Sequence, residues 1–442
     1  MSSGWPDDTA EAPPRRTVPA PPAGPVGLPR LLSPAGLPGH AGLAEHLAAH
    51  GHRPAVPAEQ GGRLAFVEEV DRAGLRGRGG AGFPTALKMA AVLAERGRPV
   101  VVANGTEGEP ASAKDKVLLA KAPHLVLDGT ELAAEAVGAD EAVVVCHPAV
   151  LGLVQAALDE RRRARLDGVG LRVVEAAEGF VAGEASAVVN WLRRGRPIPT
   201  RTPPRLSERG LYGRPTLVQN VETLAHLALV ARFGADWYRS VGPPEEPGSL
   251  LVTLLGGVER PGVYEVAVGT TVSSVLEAGG GSAPTAQALL LGGYFGTWVD
   301  YGSASERPFS RAGLAPLGAS PGAGLVAMLP ADACGLAETA RLARYLASQS
   351  AGQCGPCVFG LPAIASQLEA LAAGEGFRRD LLVRWLAQVD GRGACAHPDG
   401  AVRLVRSALR VFREEVERHA RGRCIAPPGR RVLPVPALGA VP

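Results

Sequence analysis

Hydrophobic and polar positions alternate along this chain in three textures. From about residue 64 to 233, short apolar runs of strand length are separated by stretches with a helical apolar period. Pro99–Asn104, Glu141–Cys146 and Leu171–Glu175 are too short and too uniformly apolar for surface helices, and they read as buried strands. Leu64–Ala73 (closed by Gly74), Ala86–Arg96, His124–Gly138 and Val150–Arg165 read as helices, as does Val218–Phe233. A shorter helix over Ala41–Ala49 precedes them. Residues 194–216, dense in Arg, Pro and Gly, read as a loop. Alternating strand and helix at this spacing predicts parallel strands joined by crossovers, which is a Rossmann-like α/β domain.

The second texture begins after the linker Glu245–Gly248. Ser249–Leu255 and Gly262–Val266 are short strands around the turn Glu259-Arg260-Pro261-Gly262, followed by a helix over Thr271–Ala278 and a strand over Ala288–Leu291. This predicts a small β-grasp-like domain. After about residue 326 the pattern turns helical, with Ala337–Ser348, Leu361–Ala373, Phe377–Val389 and Val402–His419 forming a bundle whose connections carry cysteines. The expected division is a disordered Pro/Ala-rich tail at 1–40, an α/β domain at 41–244, the β-grasp unit at 245–325, a helical domain at 326–425 and a tail at 426–442.

Composition narrows the function classes. The 442 residues are 46 % hydrophobic and 20 % charged, which suits a globular protein of two to four domains. A net charge of +3 argues against nucleic acid as the partner. No apolar run reaches the ~20 residues of a membrane span, and no signal-peptide plan opens the chain. A cytoplasmic location is the expectation. The six cysteines are Cys146, Cys334, Cys354, Cys357, Cys395 and Cys424, and four of them lie after residue 350, with a Cys-x-x-Cys pair at 354–357. That clustering points to metal or redox chemistry in the C-terminal part rather than to scattered disulfides. Cys146, inside a strand, reads as an inert core thiol.

The candidate chemistry starts at Gly74-Leu75-Arg76-Gly77-Arg78-Gly79-Gly80-Ala81-Gly82-Phe83. Five glycines let the backbone approach a ligand and aim successive N–H groups at one anion, and the helix that follows adds its N-terminal dipole. A plain loop in a chain of 57 glycines has the same appearance. The segment Asn104-Gly105-Thr106-Glu107-Gly108-Glu109-Pro110 changes the balance, because it places amide and acidic groups at the carboxyl end of a strand, where α/β sheets bind ligands.

These segments, taken with others in the same order, resemble the flavoprotein subunit of respiratory complex I and of related NAD-linked hydrogenases and formate dehydrogenases. GLRGRGGAGFPTALK (74–88) is similar to that family's glycine loop and NGTEGEPASAKDK (104–116) to its acidic flavin segment. FVAGEASAVVNWL (180–192) and GRPTLVQNVETLAHL (213–227) are similar to its Gly-Glu-Glu and Asn-Val-Glu-Thr motifs. GGVERPGVYEVAVGTT (256–271) resembles its β-grasp (SLBB-type) insert; AGQCGPCVFG (351–360) and GACAHPDGAVRLVRSALRVFREE (393–415) resemble its iron–sulfur domain. The resemblance implies an FMN site drawn from Gly77, Arg78, Gly79, Gly80, Gly82, Phe83, Lys88, Asn104, Thr106, Glu107, Phe180, Gly183, Glu184, Gln219 and Asn220. It also implies NAD(H) as substrate, a [4Fe–4S] cluster, and an iron–sulfur electron-transfer subunit or ferredoxin as partner. Lys88 read alone could be solvated, and Asn220 could simply cap the following helix.

The chain departs from the family at the nicotinamide side and at the cluster. The aromatic expected eight residues after Phe83 is Ala91, and one expected after the Pro-Pro pair is Arg205. Each lost ring removes about 1–3 kcal/mol of stacking, and Arg205 could instead pair with a phosphate, which would favour NADPH or another donor. The family's acidic pair is reduced to Glu184-Ala185 and its flavin-binding Asp is Thr106. Of the four cluster cysteines the first is Ala351, leaving Cys354, Cys357 and Cys395. Cys334 or Cys424 could complete the set, a partner or small ligand could fill the position, or no cluster could form. Three functions follow. The chain is an NADH dehydrogenase-like enzyme passing electrons from NAD(P)H through FMN to an iron–sulfur centre. Alternatively it is a degenerate docking subunit that has lost NADH oxidation, or a module led by its β-grasp insert.

Overall fold

The apolar runs become a four-stranded parallel sheet with order β3-β2-β1-β4, built from β1 (Val100–Gly105), β2 (Glu141–Cys146), β3 (Gly170–Glu175) and β4 (Thr216–Asn220). The computed structural model describes residues 27–32, 41–281, 286–424, 426–427 and 429–436. Around this sheet lie helices α1 (Leu43–His50), α2 (Gln60–Ala73), α3 (Thr85–Leu93), α4 (Lys114–Lys121), α5 (Pro123–Val137), α6 (Pro148–Ala164), α7 (Ala185–Arg194), the one-turn α8 (Leu206–Arg209) and α9 (Val221–Arg239). Helices on both faces explain why β1 is apolar at successive positions rather than alternating. Val101 and Ala103 face α5 and α9, while Val100 and Val102 face Val188 and Val189 of α7.

Helix α5 is buried nearly all round and crosses α9 at close range. A Cβ on Gly129 would lie 1.8 Å from the Leu224 carbonyl oxygen, so only glycine allows the crossing. Beside it the buried Asp128 accepts from Arg161 (2.7 Å), from Arg232 and from His46 (2.8 Å), tying α1, α5, α6 and α9 together.

Two readings of this region change. Val218–Phe233 is not helical throughout: Val218, Gln219 and Asn220 complete β4, pairing with β1, and α9 begins at Val221. The Asn220 side chain accepts from Glu222 N (3.0 Å), a cap that marks where extended backbone turns helical. The expected loop 194–216 holds α8, and α4 arises from a polar sequence that the apolar period does not reveal.

The second sheet has order β6-β5-β9-β7-β8, from β5 (Ser249–Gly256), β6 (Gly262–Ala267), β7 (Ala286–Leu291), β8 (Thr297–Asp300) and β9 (Leu325–Pro330). Helix α10 (Val272–Ala278) and the one-turn α11 (Tyr301–Ala304) and α12 (Arg311–Leu314) complete the unit. Strand β9 pairs parallel to β5 and antiparallel to β7, so the expected boundary between 325 and 326 falls inside this sheet. A short, fully apolar run such as LVAMLP has no period with which to tell strand from helix.

The helical part comprises α13 (Gly335–Ser348), α14 (Leu361–Ala373, preceded by a π-turn over Pro356–Gly360), α15 (Arg379–Val389), α16 (His397–Val411) and α17 (Arg413–His419). The helix expected over Val402–His419 is divided at Phe412, which is buried against Trp298. Pro356–Ala373 forms one continuous helical stretch of 18 residues with mean hydropathy 1.3, long and apolar enough to cross a membrane by length and composition. Its Cys357, Leu361, Ile364, Leu368 and Leu371 face the bundle core. Both expected tails contain packed segments, and the rest of each lies outside the described residues. Backbone N–H groups of Arg30, Leu31 and Leu32 donate to Glu265, and the Arg30 guanidinium lies 4.0 Å over the Trp237 ring. At the other end Val432 and Leu433 donate to Glu338 (both 3.1 Å).

Candidate active site

The strand order reverses direction at β1: β2 and β3 lie on one side and β4 on the other. The crevice beyond the carboxyl ends of β1 and β4 is therefore the switch point where an open α/β sheet receives a ligand. A cavity of about 780 Å³ occupies it. One wall is the glycine loop, with Gly77, Gly79, Gly80, Gly82 and Phe83; the floor is Lys88, Asn104, Val218, Gln219 and Asn220. The turn carrying Phe180, Gly183 and Glu184 forms a third side. Twelve of the fifteen positions singled out for a cofactor thus line one space.

Their local chemistry is now visible. Lys88, projecting from α3, donates from Nζ to the Val218 carbonyl (2.7 Å), and burial lowers its pKa. Asn104 donates to Gly183 O (2.9 Å), fastening the third wall to β1. Asn220 does cap α9, and its Nδ2 also donates to Asp115 (2.7 Å). Glu184 caps α7 through one oxygen, which accepts from Ser186 N (2.9 Å) and Ala187 N (3.0 Å). Phe180 stands edge-on to Phe295 (4.7 Å) and His397 (6.0 Å), linking the cavity to the helical part. Gln219 is buried, and its Nε2 has no hydrogen-bond partner among the described residues.

Three expected residues lie elsewhere. Arg78 turns away from the cavity, donating from its guanidinium to Tyr238 Oη (3.1 Å) and from its backbone N–H to Thr223 (2.8 Å), so it anchors the loop. Thr106 and Glu107 line a neighbouring cavity of about 730 Å³. Glu107 accepts from Ser112 Oγ (2.6 Å), Asp115 N (3.0 Å) and Lys116 N (3.0 Å), which makes it the cap that starts α4. Burial works to raise its pKa, but the Lys116 and Lys114 charges and these donors hold it below the usual carboxylate value.

A second set of cavity residues went unseen in the sequence. Glu109 lies on the wall shared by both cavities, accepts from Tyr294 N (2.8 Å), and is pushed up to about 8 by burial. Its signal was its place in the same acidic segment, five residues after Asn104. Arg311, Gly318, Ala319, Ser320, Gly322 and Ala323 come from the β-grasp unit, and Arg403 from α16. A Cβ on Gly82, whose φ is +62°, would meet Arg311 Nη1 at 2.5 Å, so the loop and that guanidinium are in close contact.

These features fit FMN. The glycine wall exposes backbone to the cavity, Lys88 and Arg311 supply cations, and the unpartnered Gln219 Nε2 is a donor awaiting an acceptor. On the nicotinamide side Phe83 is 53 % exposed, so its ring face is open for stacking. Ala91 is exposed on α3, and Arg205 is exposed where it opens α8.

Five of the six cysteines sort into two groups, while Cys146 is buried in β2. Cys354 and Cys357 precede α14 and Cys395 precedes α16; burial raises the pKa of the Cys357 and Cys395 thiols. Cys395 also lines the large cavity. Neither Cys334 nor Cys424 completes this set. Cys334 sits at the amino end of α13 and Cys354 beyond its carboxyl end, and the 14 helical residues between them span about 20 Å. Cys334 instead meets His419 and Cys424. That leaves Cys354, Cys357 and Cys395 as the thiols of the first group, with Ala351 where a fourth cysteine is expected.

Comparison with known proteins agrees with this arrangement. Residues 70–229 match the Nuo51 FMN-binding domain, 251–293 the SLBB domain, and 337–419 the iron–sulfur binding region of NADH-ubiquinone oxidoreductase-F. The NADH-quinone oxidoreductase F subunit 2 of Rhizobium meliloti is 32 % identical over 373 residues, 80 % of this chain and 88 % of that protein. The chain belongs to the family of NADH-quinone oxidoreductase F subunits. The F subunit of Streptomyces coelicolor is 31 % identical over 86 % of this chain and 87 % of its own length. An NAD+-reducing [NiFe]-hydrogenase in the air-oxidized state superposes with a TM-score of 0.75 at 34 % identity, covering 81 % of this chain and 63 % of that one. As a member of the F-subunit family this chain is an NADH dehydrogenase-like electron-transfer subunit of the FMN and iron–sulfur type.

Proposed function

We propose that this subunit accepts electrons from a reduced nicotinamide dinucleotide at FMN in the β1/β4 cavity and passes them to an iron–sulfur centre beside Cys395. The observation that carries the reading is the reach of one cavity, from Gly77–Phe83 at one end to Cys395–His397 at the other. A flavin there supplies the conversion of a two-electron hydride donor into single electrons, which is the reason to place it beside a cluster.

The chain's own residues divide the remaining work. Backbone N–H groups of the Gly77–Gly82 loop, with Lys88 and Arg311, hold the anionic part of the cofactor. Gln219 Nε2 donates to a polar edge, and Asn104 holds the Gly183 turn in place. Phe83 offers the stacking face for the dinucleotide. Cys354, Cys357 and Cys395 hold the cluster by three thiolates, and a ligand from outside the chain completes it. The electron acceptor is an iron–sulfur subunit or a ferredoxin. All six cysteines are free, as suits a reducing, cytoplasmic setting.

Exposed Ala91 and Arg205 favour a second reading, in which FMN is kept but NADH oxidation is lost. Titrating FMN into the flavin-free chain, followed by quenching of flavin fluorescence, tests the cofactor claim. One FMN bound per chain is expected. A chain that leaves flavin fluorescence unquenched after anaerobic refolding with FMN overturns it.

A further inference from the structure

The second group of cysteines lies outside this machinery. Cys334, His419 and Cys424 present ligand atoms that all fall within 4.8 Å of one another. Cys334 is the residue before α13, and its Sγ accepts from Ala337 N (3.3 Å). His419 ends α17, and the chain hooks back over the next five residues to bring Cys424 alongside. Cys334 and His419 are buried, whereas Cys424 is exposed and gives an entry path.

Three features suit a bound cation better than a packed thiol. Cys334 Sγ stands 3.3 Å from His419 Nε2. Tetrahedral zinc with Zn–S of about 2.3 Å and Zn–N of about 2.0–2.1 Å separates its ligand atoms by about 3.6–3.8 Å, so the group is already near that spacing. His419 Nδ1 faces the Ala372 carbonyl at 2.9 Å, which can only accept. The Nδ1 therefore carries the proton, and the Nε2 lone pair points at the thiols, as metal-binding histidines are commonly held. Glu415, also buried, receives the Cys334 S–H on Oε2 (3.4 Å) and is itself fixed by Gln287.

We infer that Cys334, His419 and Cys424 form a binding site for a zinc-class divalent cation, distinct from the Cys354/Cys357/Cys395 site. Two thiolates and one imidazole suit zinc among the biological divalent ions. Binding releases two thiol protons to solvent, with no change of oxidation state. Glu415 or a water supplies the fourth ligand. Because Cys334 follows β9 and Cys424 follows α17, the ion ties the carboxyl-terminal hook to the end of the second sheet. Its role is structural.

The test is metal analysis of the full chain loaded with zinc, then freed of loose metal by gel filtration. About one zinc per chain is expected in the unmutated protein and in a Cys354→Ser/Cys357→Ser/Cys395→Ser variant. Cys424→Ser, a substitution at an exposed position, is expected to weaken zinc binding by more than about 100-fold. Cobalt(II) is expected to give sulfur-to-cobalt charge-transfer and tetrahedral d–d bands both in the unmutated chain and in the variant lacking the other three cysteines, where they arise from this group alone. Absence of those bands, zinc retained by Cys424→Ser, zinc lost with the other three cysteines, or a Cys334–Cys424 disulfide in the anaerobically purified protein would each overturn the inference.

Discussion

Replacing Gln219 with methionine separates a cofactor contact from a structural one. The side chain is 4 % exposed at the floor of the cavity, and its Nε2 meets no hydrogen-bond partner among the described residues. A buried unsatisfied donor costs about 1–3 kcal/mol. Gln219→Met removes that penalty from the flavin-free protein, so the flavin-free variant should unfold at equal or higher urea concentration than the parent. With FMN bound, the parent's donor is satisfied and the variant has none to offer. The same ~1–3 kcal/mol therefore appears as lost affinity, about 5- to 150-fold in Kd. Fluorescence titration with FMN and urea unfolding of both flavin-free proteins measure the two sides of this cycle. An unchanged FMN Kd together with a destabilised flavin-free variant refutes the reasoning, because Gln219 would then be packed for the fold alone.

Ala91→Phe restores a ring on the exposed face of α3 and should lower the KM for NADH by about tenfold with little change in kcat, read by steady-state kinetics. Burial raises Glu109 to about 8, above its unfolded value of 4.5, so its stability contribution is full below pH 4.5 and is lost as pH rises toward 8. The slope is at most about 1.4 kcal/mol per pH unit. Glu109→Gln should flatten urea-unfolding stability across that window. Asp128→Ala leaves Arg161 and Arg232 buried without their shared carboxylate and should cost about 3–5 kcal/mol in the same assay. In the parent, Asp128 is held below the usual carboxylate range: burial opposes this, but His46, Arg161 and Arg232 outweigh it. Its contribution is present above the unfolded value of 3.8 and lost as pH falls below it.

The parallel sheet was legible because Val100–Ala103 and Ala142–Cys146 are apolar at successive positions, a pattern that a sheet covered on both faces requires. The switch from β4 to α9 was not, since Val218 and Gln219 continue smoothly into the helical period beyond Asn220. Motif resemblance found the glycine loop, Lys88 and Asn104. It also selected Arg78 and Glu107, whose side chains hold the loop and start α4, because a motif preserves scaffold and contact residues alike. Arg311 and Arg403 carried no local signal. They reach the cavity only through the docking of the β-grasp and helical units, which is long-range packing. For the cysteines, spacing alone allowed Cys334 or Cys424 to join the cluster; the length of α13 holds Cys334 away from Cys354, and Cys424 lies beside Cys334.

Hydride from NADH is expected to reduce a flavin held in the β1/β4 cavity. An anaerobic titration of the FMN-loaded protein with NADH, followed by flavin absorbance, measures this directly. Bleaching that saturates at one NADH per FMN, at concentrations raised by the missing rings at 91 and 205, is the predicted result. Flavin bands that dithionite bleaches and excess NADH leaves unchanged would contradict it.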